Sequence, residues 1–362
     1  MTVKVPSFAK INLGLRIGAL RPDEFHQLRT VYQTIALHDT INVSVGRGSG
    51  IEIRCNDPRV PAGETNTCYR IVERAMPVLK ARGRIRIEIE KRLPVQGGLG
   101  GASGNAVAAL LALELALKKR LSGAERLRIA AEVGSDLPLF LIGGTVLGVG
   151  RGEEVYPLPD LPEMQCVIAL PEIAVSTPKA FSDWDKFAAE FHSARTLRLR
   201  SGQAREGARP HMATPDPSSL LNSKLTSPTH SDRMLEFSRE ISAWLSAGPE
   251  GQGHRRSGVS AKGGGRAENP LLDLVRTGIE NDFEKVVFPQ YPELLEVKRV
   301  LERAGARYAS LSGSGSAVYG LFDSREKAAA AANKLNKRRT RAVVTSTLTR
   351  RQYWKKLRAV SN

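Results

Sequence analysis

The feature that most constrains this chain is a glycine-rich stretch, residues 97–104, that leads directly into an alanine- and leucine-rich segment. Glycine stands at five of these eight positions, within LPVQGGLGGASGNAVAALLAL. Glycine lets a backbone approach a ligand closely, and a helix N-terminus offers unpaired N–H groups with partial positive charge. The pattern therefore favours either an anion site or a tight turn before a helix, and glycine content alone does not decide between them.

The common phosphate-binding patterns do not fit this stretch. A P-loop requires a Lys-Ser or Lys-Thr pair after its last glycine, and none follows here. A dinucleotide fingerprint that begins at Gly98 has Ser103 where its third glycine should stand. Any phosphate site in this segment must therefore be of another design.

The length and cysteine content place the chain in a broad class. At 362 residues it can form two domains with substantial cores. We expect no membrane span, because no apolar run of about 18 residues occurs. The N-terminus, MTVKVPSFAKINLGLRI, alternates like a strand and lacks a signal-peptide pattern. Cys55, Cys68 and Cys166 form no C-x-x-C pair, so we expect neither a disulfide framework nor a zinc site, and a cytoplasmic location.

The net charge of +17 originates largely at the C-terminal end. Residues 327–362 contain eleven Lys or Arg and no Asp or Glu. Such a run can contact nucleic acid or an acidic surface, but it is more often a solvated helix face or edge strand. Since Tyr353 and Trp354 are the only aromatics in this run, the sequence favours the second interpretation and no nucleic-acid partner.

Alternation and helical spacing predict a mixture of strands and helices without a βαβ rhythm, which is typical of an α+β fold. Residues 193–270 are rich in Ser, Gly, Pro, Arg and Thr and predict a flexible insertion, with a local helix at 231–245. The other predicted elements are strands at 3–5, 9–17, 41–45, 51–53, 84–90 and 342–348, a strand pair in 155–171, a strand–turn–strand at 307–322, and helices at 67–82, from near Asn105 to 119, at 122–133, 293–304 and 324–338.

Four short polar motifs stand out, each of which has an ordinary structural interpretation when taken alone. Lys10 and Asn12 share one face of a predicted strand. Phe25 and His26 form an aromatic pair in a turn-like segment. The pair can bind a nucleobase, or Phe25 can be a core residue and His26 a surface residue. Asp136 lies between a helix end and an apolar run, where it can be a general base or a turn residue. The bend SGSGS can be an anion nest or a plain turn.

The order of these motifs is more specific than any one of them. F-A-K-I-N-L, F-H-Q-L, P-x-x-x-G-L-G-x-x-S, G-S-D-x-P and S-G-S-G follow one another as they do in the GHMP kinase superfamily, which the chain resembles from residue 5 to about 344 apart from the insertion. The resemblance implies a two-domain α+β fold with the active site in the cleft between the domains. Residues 1–154 would resemble domain 2 of ribosomal protein S5 and bind ATP, and residues 155–362 would be ferredoxin-like.

The resemblance also implies a reaction. The motifs look most like those of a superfamily member that phosphorylates the 2-hydroxyl of a cytidine-diphosphate-linked methylerythritol with ATP and Mg²⁺. This reaction belongs to the non-mevalonate route to isoprenoid precursors. The alternative is another small-molecule kinase of the superfamily, of the homoserine or mevalonate type. The Phe25–His26 pair and the segment T-P-K-A-F favour the cytidine substrate. The expected partner is this small molecule, and the expected assembly is a monomer or weak homodimer.

By the same resemblance, Lys10 and Asp136 are catalytic, Asp136 as the base and Lys10 as its cationic partner. This chain departs from the usual motifs at Glu24 and Phe25, which replace Gly-Tyr, and at Ala102 and Gly104, which replace Gly and Ser, leaving Ser103 as the loop hydroxyl and candidate magnesium contact. The implied ATP-binding residues are Pro94, Gly97, Gly98, Leu99, Gly100, Gly101, Ala102, Ser103, Gly104, Asn66, Gly313 and Gly315, and the implied substrate-binding residues are Asn12, Phe25, His26, Thr177 and Phe181.

Overall fold

The computed structural model describes residues 2–203 and 280–358, with side chains described for 2–190 and 280–358. Two sheets with helices packed on them form the architecture. The strands are β1 (Thr2–Leu20), β2 (His26–Gly46), β3 (Ile51–Cys55), β4 (Arg84–Glu90), β5 (Thr145–Val149), β6 (Glu154–Pro157), β7 (Gln165–Leu170), β8 (Tyr308–Leu311), β9 (Val318–Phe322) and β10 (Arg341–Ser346). The helices are α1 (Thr67–Val78), α2 (Gly101–Leu117), α3 (Gly123–Val133), α4 (Leu137–Ile142), α5 (Thr177–Gln203), α6 (Glu284–Gln290), α7 (Pro292–Arg303), α8 (Arg325–Lys337) and α9 (Arg350–Arg358).

The first sheet is organised around the long strand β2. It pairs antiparallel with β1 over most of its length, with β5 through residues 30–33 and with β4 through residues 40–46. The strand β3 then pairs parallel to β4. The alternation RIRIEIE puts Ile85, Ile87 and Ile89 into the core beneath α1 and α2, as period-two spacing predicts.

Local capping sets where two of the N-terminal helices begin. The side chain of Asn66 accepts a hydrogen bond from Cys68 N and caps α1. Ser122 and Glu125 form a reciprocal capping box at the start of α3, which is the helix predicted over 122–133. These helices and α2 lie on one face of the first sheet and bury its isoleucines.

The strand β1 belongs to the first sheet and is buried along most of its length, because it also packs against the second sheet. A register irregularity falls between Phe8 and Ala9. Phe8 belongs to the core under α2, whereas Ala9 and Ile11 pack against the second sheet. Lys10 and Asn12 share the opposite face, as alternation predicts, and both are buried.

The second sheet has the order β10-β7-β9-β8 and is antiparallel throughout. Helices α7 and α8 pack on it around Leu294, Val300 and Ala331. A third apolar cluster joins the two sheets through residues such as Val31 and Tyr319. The predicted strand–turn–strand around SGSGS is confirmed as β8 and β9, and β10 is an edge strand, as the second interpretation of the basic tail expects.

Three sequence predictions about elements are wrong. The helix after the glycine stretch begins at Gly101 and not near Asn105, because Gly100 takes a left-handed conformation (φ 68°) that serves as the N-cap. The two strands predicted within 155–171 do not pair with each other: β6 pairs with β5 in the first sheet, and β7 lies in the second. The predicted insertion does not begin in irregular structure, since α5 continues to Gln203.

The rest of the predicted insertion, with its local helix at 231–245, lies outside the described residues. The predicted division at 154/155 stays a proposal. The strand β6 extends across that position, and α9 packs Tyr353 and Leu357 into the N-terminal core. None of the helices within 2–203 and 280–358 has the length and apolar character that crossing a membrane requires.

Candidate active site

Both sheets contribute to one cavity of about 620 Å³. The predicted catalytic residues and all five predicted substrate-binding residues line it, so the fold brings together positions from three distant parts of the chain. These lining residues include Lys10, Asn12, Phe25, His26, Gly98, Gly100, Asp136, Thr177, Phe181 and Gly313.

Lys10 and Asp136 meet in this cavity. The distance from Lys10 Nζ to Asp136 Oδ2 is 3.4 Å, and the Lys10 side chain is 4% exposed whereas that of Asp136 is 35% exposed. Asp136 stands just before α4, in the turn that follows α3, and its side chain forms no helix-capping hydrogen bond. The carboxylate is therefore both accessible to a ligand and close to a buried cation.

A chain of hydrogen bonds fixes the Lys10 ammonium. Lys10 Nζ donates to Asn12 Oδ1 at 2.7 Å, and Asn12 Nδ2 donates to Thr30 Oγ1 at 2.8 Å. Thr30 Oγ1 in turn donates to the carbonyl oxygen of Gly14 at 2.8 Å. Since the Asn12 side chain is 1% exposed and uses both of its polar atoms here, its observed contacts orient Lys10.

The glycine stretch forms the rim of the cavity beside Lys10. Lys10 N donates to the carbonyl oxygen of Leu99 at 3.0 Å. Gly100 has a φ of +68°, which favours glycine, and a Cβ there would crowd both Lys10 Cγ and Phe140 Cζ at 3.0 Å. Because Gly100 has no side chain to cap α2, the N–H groups of the first turn are available to an anion next to the ammonium.

The SGSGS bend closes against the same loop from the second sheet. Ser312 Oγ donates to Gly98 O at 2.9 Å, and Ala317 N donates to Gly97 O at 3.2 Å. The buried side chain of Asn281 holds the bend from behind, donating to Leu311 O and to Gly313 O at 2.9 and 2.7 Å. The two glycine-rich segments therefore form one continuous wall.

Aromatic side chains also line the cavity. His26 stacks on Phe181 with ring centroids 4.9 Å apart and an interplanar angle of 13°. Phe25 is 50% exposed, with the Arg151 guanidinium 4.9 Å from its ring centroid. Asp23 accepts two hydrogen bonds from Arg21 and one from Phe25 N, which lower the pKa of Asp23 and brace the turn that carries Phe25.

Asn66 and the outer side of the glycine stretch line a second cavity of about 380 Å³. Most of the residues predicted for ATP lie here. The exceptions are Gly313 and Gly315, which lie in the bend, and Gly104, which faces Phe8 O and Ser7 Oγ and does not line the cavity. Asn66 Nδ2 donates to Pro61 O at 2.6 Å while its Oδ1 caps α1. Both polar ends of Asn66 are thus engaged within the protein, and its observed role is to shape the wall.

Several further residues at this site are not predicted from the sequence. Asp185 Oδ1 lies 2.7 Å from His26 Nε2, and Tyr32 donates from its hydroxyl to Asp136 Oδ1 at 3.0 Å. The buried Asp39 accepts from Lys91 Nζ at 2.6 Å and from two backbone N–H groups just before the glycine stretch. Lys91 also lies close to the start of α2: if Gly101 carried a Cβ, that atom would be 3.1 Å from Lys91 Nζ.

Comparison with known proteins decides the family. The GHMP kinases N terminal domain model matches residues 66–144, and the GHMP kinases C terminal model matches residues 268–339. The 4-diphosphocytidyl-2-C-methyl-D-erythritol kinase of Solibacter usitatus is 34% identical over 88% of this chain and 81% of that protein. The chain belongs to the GHMP kinase family. The same-named enzyme of Acaryochloris marina is 33% identical to this GHMP kinase over 92% of this chain and 91% of that protein.

Solved structures agree with this assignment. A crystal structure of 4-(cytidine 5'-diphospho)-2C-methyl-D-erythritol kinase is 27% identical, covers 95% of this GHMP kinase and 98% of that chain, and superposes with a TM-score of 0.63. A homoserine kinase from Cytophaga hutchinsonii has a TM-score of 0.62 over 96% of this chain and 95% of its own, but at 18% identity it shows the fold alone. The predicted two-domain α+β fold of the superfamily is confirmed.

Proposed function

We propose that this GHMP kinase transfers the γ-phosphoryl group of ATP to the 2-hydroxyl of 4-diphosphocytidyl-2-C-methyl-D-erythritol, a step toward isoprenoid precursors. One observation carries the proposal: the Lys10–Asp136 pair shares a single cavity with the aromatic residues Phe25, His26 and Phe181 and with the rim of the glycine stretch. The names of the relatives support the same reaction.

The donor side of the site would hold the triphosphate of ATP. We assign this role to the glycine stretch and to the first turn of α2, whose open N–H groups and dipole favour an anion. Gly313 and Gly315 would line the phosphates from the bend. Pro94 and Asn66 would form part of the nucleoside pocket, with Asn66 acting through the shape of the wall.

The acceptor side would hold the cytidine. His26 and Phe181 are already stacked on each other, so the exposed ring of Phe25 is the platform that we assign to the base. Arg151 occupies one face of Phe25, which leaves the other for cytosine. His26 would bond the edge of the base, and Thr177, whose hydroxyl lies 2.8 Å from Ser314 Oγ, would close the wall between base and phosphates.

The chemical step follows from the position of the two charges. Asp136 would accept the proton of the 2-hydroxyl as that oxygen attacks the γ-phosphorus, and the bond to the bridging oxygen of ADP breaks. Lys10, whose side chain is almost fully buried, would neutralise negative charge that develops on the phosphoryl oxygens. Asn12 would keep the ammonium aimed at that point through the observed hydrogen bond.

Magnesium fits the donor set of this site. Mg²⁺ prefers one or two protein oxygens together with substrate phosphates, and the described residues contain no cluster of three His, Cys, Asp or Glu side chains that could hold a metal by themselves. The side-chain oxygen of Asn105 is buried without a hydrogen-bond partner in the first turns of α2. Ser103, which lines the second cavity in the first turn of α2, would hold the ion, and the ion would supply charge neutralisation on the triphosphate.

The alternative is a homoserine or mevalonate type of kinase, which shares the fold. The stacked His26–Phe181 pair and the exposed Phe25 favour a nucleobase-bearing acceptor, since a small alcohol needs no aromatic platform.

We also propose a cytoplasmic location, because Cys55, Cys68 and Cys166 are all unpaired. The assembly that we propose is a monomer or weak homodimer.

The test is an assay of ADP release with Mg-ATP and three alcohols: the cytidyl substrate, homoserine and mevalonate. We expect turnover with the cytidyl substrate alone. Asp136→Asn should lower kcat by about a thousandfold, because a general base contributes on the order of 10² to 10⁴ in rate. The matched control is Asp323→Asn, an exposed carboxylate in the turn before α8. Turnover of another alcohol would overturn the substrate, and an active Asp136→Asn would overturn the base.

A further inference from the structure

Tyr32 is a buried tyrosine whose hydroxyl reaches the proposed base. It lies in the first half of β2 with 2% of its surface exposed and lines the cavity. Its hydroxyl donates to Asp136 Oδ1 at 3.0 Å, and the Lys10 ammonium lies 5.5 Å from its ring centroid. The tyrosine therefore contacts both members of the proposed catalytic pair from behind.

The backbone around this side chain has no room for any residue but glycine at two positions. A Cβ at Gly148, on the neighbouring strand β5, would lie 2.5 Å from Tyr32 Cε2. A Cβ at Gly152 would lie 2.6 Å from the Tyr32 hydroxyl, and Gly152 has a φ of +103°. Both glycines fix the ring and its hydroxyl in a slot that ends at Asp136.

The chemistry of the slot makes the hydroxyl a donor. Burial raises the pKa of Tyr32 well above its usual value, and the charges of Asp136 and Glu153 raise it further. Tyr32 thus stays protonated, and its proton is directed to Oδ1 of Asp136. The other carboxylate oxygen, Oδ2, faces Lys10 at 3.4 Å.

We propose that Tyr32 is a positioning residue that occupies Oδ1 of Asp136 and so assigns the proton-accepting role to Oδ2, the oxygen beside Lys10. Asp136 stands in a turn, and its side chain makes no cap hydrogen bond with α4. The bond from Tyr32 limits rotation of the carboxylate and keeps Oδ2 in line with the incoming hydroxyl. This inference rests on the proposed function, since it assumes that Asp136 is the base.

A second explanation is that Tyr32 is only a core aromatic, because its ring belongs to the N-terminal apolar cluster. Phenylalanine would satisfy that role completely. The two explanations differ in what the hydroxyl alone does, and Tyr32→Phe removes only the hydroxyl.

The matched control is Tyr353→Phe. Tyr353 is equally buried at 2% exposure, and its hydroxyl donates to the carbonyl oxygen of Phe140 at 2.7 Å. It therefore loses the same group from an equally buried hydrogen bond, outside the cavity. We expect Tyr32→Phe to lower kcat about tenfold with KM for both substrates within twofold of wild type, and Tyr353→Phe to leave both constants unchanged.

A double-mutant cycle with Asp136→Asn separates positioning from structure. When the base is absent, the hydroxyl has nothing to orient, so Tyr32→Phe should change the residual rate by less than twofold. A tenfold loss in both backgrounds, or a Tyr32→Phe rate equal to wild type, would overturn this proposal while leaving the proposed reaction intact. A wild-type enzyme that turns over none of the three alcohols would overturn both proposals.

Discussion

Lys10 is a cation with almost no access to water. Burying a charge is unfavourable unless partners compensate it, and here Asn12 and Asp136 do so. Such pairs contribute little net stability compared with apolar residues of similar size. The pair is therefore best explained by the reaction that it would perform.

Lys10→Met should separate activity from stability. We expect kcat/KM to fall at least a hundredfold, because the charge that would neutralise the phosphoryl oxygens is gone, while the midpoint of thermal unfolding stays the same or rises. Turnover and unfolding are measured on the same preparation. The control is Lys298→Met, whose ammonium pairs with Glu284 outside the cavity and which should keep full activity. A Lys10→Met enzyme within threefold of wild type would contradict the assignment.

Residues with local signals could be predicted from the sequence, and those defined by distant contacts could not. Lys10 is recognisable because a charge interrupts an apolar alternation. Tyr32 and Asp185 carry no such signal, since their roles come from contacts with Asp136 and His26, which are 104 and 159 residues away in the chain. Apart from Gly104, which packs against β1, the predicted site residues line two neighbouring cavities or the bend between them, but their roles stay proposals.

At the scale of elements, the junction of the glycine stretch with the SGSGS bend sets the shape of the site. Gly98 has a φ of +74°, and a Cβ there would lie 2.1 Å from the carbonyl oxygen of Ser312. The atom that the Cβ would meet belongs to the backbone, so it cannot move aside as the end of a flexible side chain could. Gly98 therefore has no space for a side chain. The loop and the bend consequently depend on glycine at this point.

Gly98→Ala should disrupt the nucleotide side of the site. The bend must move away from the added methyl group, and the left-handed backbone becomes strained by about 1–2 kcal/mol. We expect KM for ATP to rise at least tenfold. The control is Gly123→Ala, in the first turn of α3, where a Cβ meets nothing within 4 Å and alanine favours the helix. Equal KM values for the two variants would show that the junction does not shape the ATP site.

Elements defined by periodicity were predicted well, and those defined by tertiary contacts were not. The strand 84–90 follows from strict alternation alone. The sequence predicts the start of α2 too late because glycine is a poor helix former. In the structure, Gly100 takes the αL conformation, and Lys10 and Phe140 pack closely against it. The assignment of β6 and β7 to different sheets depends on partners far along the chain.

At the scale of the whole molecule, α9 returns to the N-terminal core. The ring of Tyr353 lies 5.4 Å from that of Phe8, and its hydroxyl bonds to Phe140 O. Gly143 has no room for a side chain beneath this ring, since a Cβ there would lie 2.2 Å from Tyr353 Cδ1. The C-terminal helix is thus a structural part of the first sheet's layer.

Tyr353→Ala should destabilise the fold by about 3 kcal/mol, the scale of removing a buried aromatic side chain. Denaturation with urea measures this as a lower midpoint. Arg351→Ala, an exposed position on the same helix, is the control and should shift the midpoint little. If both variants unfolded at the same urea concentration, α9 would not stabilise the N-terminal core.

The packing of α9 determines when the N-terminal core can be completed during synthesis of the protein. Tyr353 leaves the ribosome 213 residues after its partner Phe140, which corresponds to roughly 10 to 40 s at bacterial and eukaryotic rates of about 5–20 residues per second. During that interval the apolar surface that α9 covers is open to chaperones, proteases and neighbouring nascent chains. Cellular yield of this kinase should therefore depend on translation speed through its second half.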